Sequence, residues 1–231
     1  MKTIKLLTLI AAAAMVFRTA AAQQEKKDWA QYGRYAQANA ELKEAPRAVF
    51  MGNSITDGWP GGSPEFWKEH PDFAGRGIGG QTSLEMLCRF RQDVINLHPK
   101  VVCILAGTND IAENDGYIAP ENILGNIVSM VELARANKIK VAVCSVLPCD
   151  IYLWRQEIKP AEKIKKLNSM LKNYVDNKKD KNVVYVDYYS VLDNGKGGII
   201  PECTSDHCHL TPAGYKKLEA VIVPVINKLA K

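Results

Sequence analysis

The feature that most constrains this chain is a repeated alternation of short apolar runs with longer stretches of helical spacing. Val101–Leu105 is apolar throughout and Val141–Val146 nearly so. A strand that is hydrophobic on both faces belongs inside a parallel sheet with helices on each side. Arg47–Met51, ending at Gly52, and Val183–Val186 read the same way, and Phe73–Ile78 is a weaker strand interrupted by Gly75 and Gly77. Between the runs, Ser63-Pro64 looks like a helix start, and Thr82-Ser83-Leu84-Glu85 has capping-box spacing. Leu84, Leu87, Cys88 and Ile95 then follow at helical spacing, and Pro120–Asn137 sets Ile123, Ile127, Val131 and Ala134 on one face. Ala161–Val175 is a Lys-rich amphipathic helix, and Thr211-Pro212 opens a last helix that Pro224 is expected to kink. Five strands alternating with helices predict an α/β fold, a three-layer α/β/α sandwich on a five-stranded parallel sheet. In such a sheet functional groups gather beyond the carboxyl ends of the strands, so candidate residues should sit just after strands.

The start of the chain reads as an address. Two lysines in the first five residues precede an apolar run, Leu6–Phe17, and small residues Thr19-Ala20-Ala21-Ala22 follow. That order predicts a signal peptide over 1–22 and an exported, periplasmic or extracellular protein. Removing 1–22 takes away Lys2, Lys5 and Arg18 and no acid, so the formal +5 becomes +2 over the remaining 209 residues. So small a charge, without a basic stripe, argues against a nucleic-acid partner. No other stretch is long and apolar enough for stable membrane insertion. Residues 23–45 are polar and helix-leaning, and are expected to form an N-terminal helical arm beside a catalytic domain over 46–231.

Four blocks follow strands or precede the last helix. They are Gly52-Asn53-Ser54-Ile55-Thr56-Asp57, Gly77-Ile78-Gly79-Gly80-Gln81-Thr82, Gly107-Thr108-Asn109-Asp110 and Asp206-His207-Cys208-His209-Leu210. Singly, Ser54 is an ordinary helix cap, Gly79-Gly80 a tight turn and Asn109 a turn residue. Together, in this order and at these places, they resemble the SGNH or GDSL-type hydrolases, a family of esterases and lipases. The family's Ser, Gly, Asn and His fall on Ser54, Gly80, Asn109 and His209, and Asp206 matches the acid three residues before the His. The resemblance covers the chain from Arg47 onward. It implies the flavodoxin-like version of the sandwich, catalysis by Ser54, His209 and Asp206, and an oxyanion hole from the Ser54 and Gly80 amides and the Asn109 side chain. No Gly-x-Ser-x-Gly elbow surrounds Ser54, which sets the chain apart from the α/β-hydrolase fold.

The residue types suit that chemistry on their own terms. A serine hydroxyl becomes a useful nucleophile when a base takes its proton. His209 is the natural base and Asp206 can hold its tautomer, although three-residue spacing leaves the carboxylate less freedom than a distant partner has. Asn53 stands where the family usually has Asp, and can make the same short hydrogen bonds to the loop. Cys203, His207, Cys208 and His209 do not have zinc-ligand spacing, so neither metal nor organic cofactor is expected. Cys88, Cys103 and Cys144 read as buried thiols, and a disulfide among Cys149, Cys203 and Cys208 is open. Trp59, Trp154 and Arg155 are candidates to line a substrate groove, with ordinary packing as the competing reading.

The expected function is therefore a secreted serine carboxylic-ester hydrolase. Its substrates would be short acyl esters, acetyl first, on a small molecule or a polysaccharide. The family also accommodates lysophospholipases, thioesterases and platelet-activating-factor-acetylhydrolase-like enzymes. A different class, a non-catalytic carbohydrate-binding module on a decayed esterase fold, is opposed by the intact Ser54, Asp206 and His209.

Overall fold

The computed structural model describes residues 28–231. Residues Tyr32–Lys231 form one compact unit, and the described residues 28–31 are turn and coil. The expected signal peptide lies outside the described residues. Of the expected arm over 23–45, the described part holds one helix of five residues, Ala36–Ala40, and otherwise turns and coil.

The sheet has five parallel strands: β1 Ala48–Gly52, β2 Phe73–Gly77, β3 Val101–Leu105, β4 Lys140–Cys144 and β5 Val183–Val186. Their order is β2-β1-β3-β4-β5. This is the flavodoxin-like arrangement, with its switch point between β1 and β3. Every residue of β1 and β3 is buried, as their uninterrupted apolar sequence requires. The weak strand around Gly75 and Gly77 is real: it pairs along its whole length with β1, at the sheet edge. β4 begins one residue earlier and ends two earlier than the apolar run suggests, because Ser145 and Val146 already belong to the loop beyond the sheet.

Alternate strand residues feed two cores, one on each face of the sheet. Val49, Met51, Val102, Ile104, Val141 and Val143 pack under the helices Ser83–Asp93, Pro120–Ala136 and Pro160–Lys178. Ala48, Phe50, Val101, Cys103 and Ala142 pack with Trp59, Phe66 and the last helix, Pro212–Leu229. That helix runs on through Pro224. The carbonyl deprived of its partner belongs to Ala220, an exposed residue whose carbonyl water can serve.

The helix Ser83–Asp93 departs from its expected face. Its capping box forms, with Thr82 and Glu85 bonded reciprocally. Leu84, however, is 49% exposed, and the buried set is Ser83, Met86, Arg89, Phe90 and Asp93. Arg89 and Asp93 are wholly buried and paired at 3.0 Å. Arg89 also donates to the Gly52 carbonyl at 3.1 Å and to Gln81 Oε1 at 2.6 Å. Burial pushes the guanidinium below its ordinary pKa, and Asp93 pulls it back. Replacing Arg89 by Met leaves Asp93 buried without this charge partner, so urea unfolding should show a loss of about 3–5 kcal/mol. The double change Arg89→Met with Asp93→Leu should recover part of that loss.

Candidate functional site

Three of the four sequence blocks meet at the switch point, on loops leaving β1, β2 and β3, and the fourth comes in before the last helix. The chain leaves β1 through Asn53, buried, whose Oδ1 accepts from the Ile55 N–H at 3.0 Å. This caps the short helix Ser54–Asp57 and presents Ser54 at its first position. The Asn therefore supplies the loop hydrogen bond that an Asp would.

β2 must pass very close to this helix. A Cβ on Gly77 would stand 2.2 Å from the Asp57 amide nitrogen and 2.5 Å from the Thr56 carbonyl carbon, so no larger residue fits. The following turn, Ile78 to Gln81, is closed by the Gln81 N–H on the Ile78 carbonyl at 3.4 Å. Gly80 sits in it at φ +80°, where glycine is favoured. Among the described residues no acceptor takes the Ser54 or Gly80 N–H. Asn109, buried in the short helix Thr108–Ile111, donates one Nδ2 hydrogen to the Gln81 carbonyl at 2.9 Å. Its second Nδ2 hydrogen is available to a bound oxygen.

His209 arrives on a loop closed by the Thr204–Leu210 bridge. Ser54 Oγ lies 2.9 Å from His209 Nε2, and His209 Nδ1 lies 2.7 Å from Asp206 Oδ2. Asp206 Oδ1 also accepts from the His209 amide at 2.7 Å and the Cys208 amide at 3.1 Å. The short spacing thus costs the carboxylate nothing in reach: one oxygen builds the turn and the other takes the ring. Partial burial works against the Asp206 charge, but the His209 amide, the His209 ring and the Cys208 amide outweigh it and hold its pKa below the ordinary carboxylate value. With Asp206 accepting from Nδ1–H, Nε2 is left to accept from Ser54, so a proton can pass from the hydroxyl to the ring.

The three candidate substrate residues separate. Trp59 does not line a groove; it is 1% exposed, stacked on Phe66 and Tyr215, with its N–H on Glu219 at 3.0 Å. Its apolar bulk is needed in the core between β1 and the last helix. Arg155 ties loops together, donating to the Glu113 carbonyl at 3.1 Å and pairing with Glu157 at 3.6 Å. Trp154 is 43% exposed, and its ring centre lies 6.3 Å from that of His209. Its N–H is held by Asn114 Oδ1 at 3.1 Å, and Asn114 Nδ2 in turn donates to the Gly80 carbonyl at 3.1 Å.

Residue types did not single out Asn114, nor Asp110, which accepts from the Ser83 amide at 2.9 Å and from its hydroxyl. Burial pushes the Asp110 carboxyl above its ordinary pKa although the Ser83 bonds oppose this. The one available signal was Asp110 beside Asn109. The six cysteines are free thiols, all buried except the half-buried Cys88.

A sheet of this order with Ser, His and Asp hydrogen-bonded in series at its carboxyl edge defines a hydrolase of the SGNH type. Residues 50–217 match the family described as GDSL-like Lipase/Acylhydrolase, and the chain belongs to that family. It is a carboxylic-ester hydrolase of the α/β sandwich class, acting on small-molecule esters. A solved structure from Bacteroides fragilis NCTC 9343, provisionally assigned as an acylhydrolase, is 49% identical over 89% of this chain and 100% of that one, with a TM-score of 0.84. A GDSL-like lipase from Bacteroides thetaiotaomicron VPI-5482 is 46% identical over 87% and 99%, with a TM-score of 0.82. Axe2, an acetylxylan esterase from Geobacillus stearothermophilus, shares the fold at 17% identity over 79% and 94%, with a TM-score of 0.63. The uncharacterized lipoprotein YqeF of Bacillus subtilis (strain 168) is 34% identical over 80 residues, and the match spans a third of that protein's length.

Because the folded-state pKa of Asp206 is depressed, its contribution to stability is present above the unfolded value of about 3.9 and is lost as pH falls through the lower folded value. Urea midpoints compared at about pH 6 and about pH 2.5 should therefore fall less for Asp206→Asn than for the wild type.

Proposed function

We propose that the protein is an exported serine esterase that removes short acyl groups, acetyl foremost, from carbohydrate. The observation that carries the catalytic part is the unbroken series Ser54 Oγ, His209 Nε2, His209 Nδ1, Asp206 Oδ2, at 2.9 and 2.7 Å. Ser54 attacks the ester carbonyl while His209 takes its proton, and Asp206 stabilises the resulting imidazolium. The oxygen of the tetrahedral intermediate is received by the Ser54 and Gly80 amides and Asn109 Nδ2. His209 then hands its proton to the departing alcohol, leaving Ser54 acylated. Water, deprotonated by His209, releases the acid and restores the serine.

The substrate reading rests on Trp154. A half-exposed indole beside His209, with its N–H already satisfied by Asn114, offers an apolar face at the rim of a polar site. Such a face suits a sugar ring. The likeness of fold to an acetylxylan esterase supports the same direction. Export rests on the charged, apolar and small-residue order of the first 22 residues.

A fluorophosphonate probe should label the wild type and not Ser54→Ala, and kcat for p-nitrophenyl acetate should fall on the order of 10⁶-fold in that variant. An unlabelled wild type would defeat the catalytic reading. Hydrolysis of p-nitrophenyl acetate should exceed that of the decanoate; the reverse order would favour a lipid esterase. Trp154→Ala should raise KM for acetylated xylo-oligosaccharide about tenfold and leave p-nitrophenyl acetate nearly unchanged, as expected from the loss of one stacking contact of about 1.4 kcal/mol.

A further inference from the structure

The donor peptide of the oxyanion hole is flanked on both sides by side-chain hydrogen bonds. The peptide before it ends in the Gly79 N–H, which donates to Asp57 Oδ2 at 3.2 Å. The peptide after it begins with the Gly80 carbonyl, which accepts from Asn114 Nδ2 at 3.1 Å. Between them lies the Gly79–Gly80 peptide, whose N–H no acceptor takes among the described residues. A side chain on Gly79 would stand 3.7 Å from Asp57 Oδ2 and 3.8 Å from Ser54 Cβ, so the carboxylate and the serine border the same turn.

Asp57 has a second partner. Its Oδ1 accepts from Arg34 Nη2 at 3.2 Å. The neighbouring Tyr35 hydroxyl donates to the Gly77 carbonyl, at the start of the same stretch. Arg34 and Tyr35 lie in a segment that is itself anchored, through Tyr32 on the Cys88 carbonyl at 3.0 Å and Asn39 on Asp93 at 2.8 Å.

Two physical demands explain this arrangement. Oxyanion stabilisation depends on donors already in place before charge develops. A carboxylate one helical turn beyond the nucleophile would oppose that charge unless it is balanced, and Arg34 balances it. The ion pair is half-exposed, so it adds little to folding stability. Its effect is on placement and local charge.

We propose that Asp57, with Arg34 as its counter-ion, and Asn114 are positioning residues that clamp the peptides on either side of the Gly80 donor. This rests on the reading of Gly80 N–H as an oxyanion donor. The clamp makes the segment before β1 part of the catalytic apparatus.

The test uses p-nitrophenyl acetate kinetics and thermal melting of the full chain. Asp57→Ala and Asn114→Ala should each lower kcat about tenfold, less than the hundredfold or more for loss of a donor, with KM within about twofold. Arg34→Ala should lower kcat about as much, with Tm nearly unchanged. Asp57→Asn keeps an oxygen for the Gly79 N–H and removes the charge, so Arg34→Ala with Asp57→Asn should be about threefold or more faster than Arg34→Ala alone. A merely structural pair would give additive losses instead. Wild-type kcat in both Asp57→Ala and Asn114→Ala, or no recovery in the double variant, would overturn the clamp. If Asp57→Ala fails to fold, the comparison of Arg34→Ala with the double variant still decides. An inert wild type removes the catalytic reading and the clamp with it, whereas an active wild type with unimpaired variants removes the clamp alone.

Discussion

A buried guanidinium holds the functional edge of this molecule together. Arg89 reaches from its helix to the last carbonyl of β1, to the Gln81 side chain beyond β2 and to Asp93 on its own helix. One planar group with fixed donor directions thereby sets the relative position of the two loops that carry Ser54 and Gly80. Burying such a charge is costly, and the surroundings answer that cost with further polar pairing. Asp93 takes the charge, Asn39 donates to Asp93 at 2.8 Å, and Arg76 donates to Asn39 at 2.7 Å. Arg89 and Asp93 are wholly buried, so the network braces the loops without exposing its charges.

The rest of the edge is built by the same device, polar side chains bonding to backbone of a neighbouring loop. Asp110 bolts the β3 loop to the start of the helix Ser83–Asp93. Asn109 uses half of its amide to hold the Gln81 carbonyl and keeps the other half available. Asn114 joins Trp154 to the Gly80 carbonyl. Loops on a protein surface are ordinarily the most mobile part of a fold, and catalysis needs them fixed. Here three loops from three strands brace one another, so the sheet supplies the approximate position and the cross-loop hydrogen bonds the fine one.

The histidine loop solves the same problem locally. Asp206 and His209 are three residues apart, and the carboxylate both closes the turn and orients the ring. Any movement of the turn carries acid and base together. The 2.7 Å distance between them therefore depends little on the packing of distant elements, whereas the 2.9 Å contact with Ser54 depends on all of it.

Much of this was legible in the residues. The apolar runs marked the strands because a strand buried on both faces must be apolar throughout, and Val101–Leu105, wholly buried, falls where its run does. The four blocks marked Ser54, Gly80, Asn109 and His209 because parallel sheets expose their strand ends, and residue chemistry at those ends is readable. Side-chain direction was not. Trp59 and Trp154 are the same residue type, yet one, at the start of a short helix, fills the core and the other, in a turn, stands beside His209. Leu84 faces outward while Arg89 lies inside, against every expectation from hydrophobic pattern. Which helix face packs, and which Asn or Asp reaches a neighbouring loop, depends on distances between segments far apart in the chain. Sequence by itself determined the sheet and the chemistry at its edge; tertiary structure alone decided which polar side chains hold that chemistry in place, because their partners lie on segments far away along the chain.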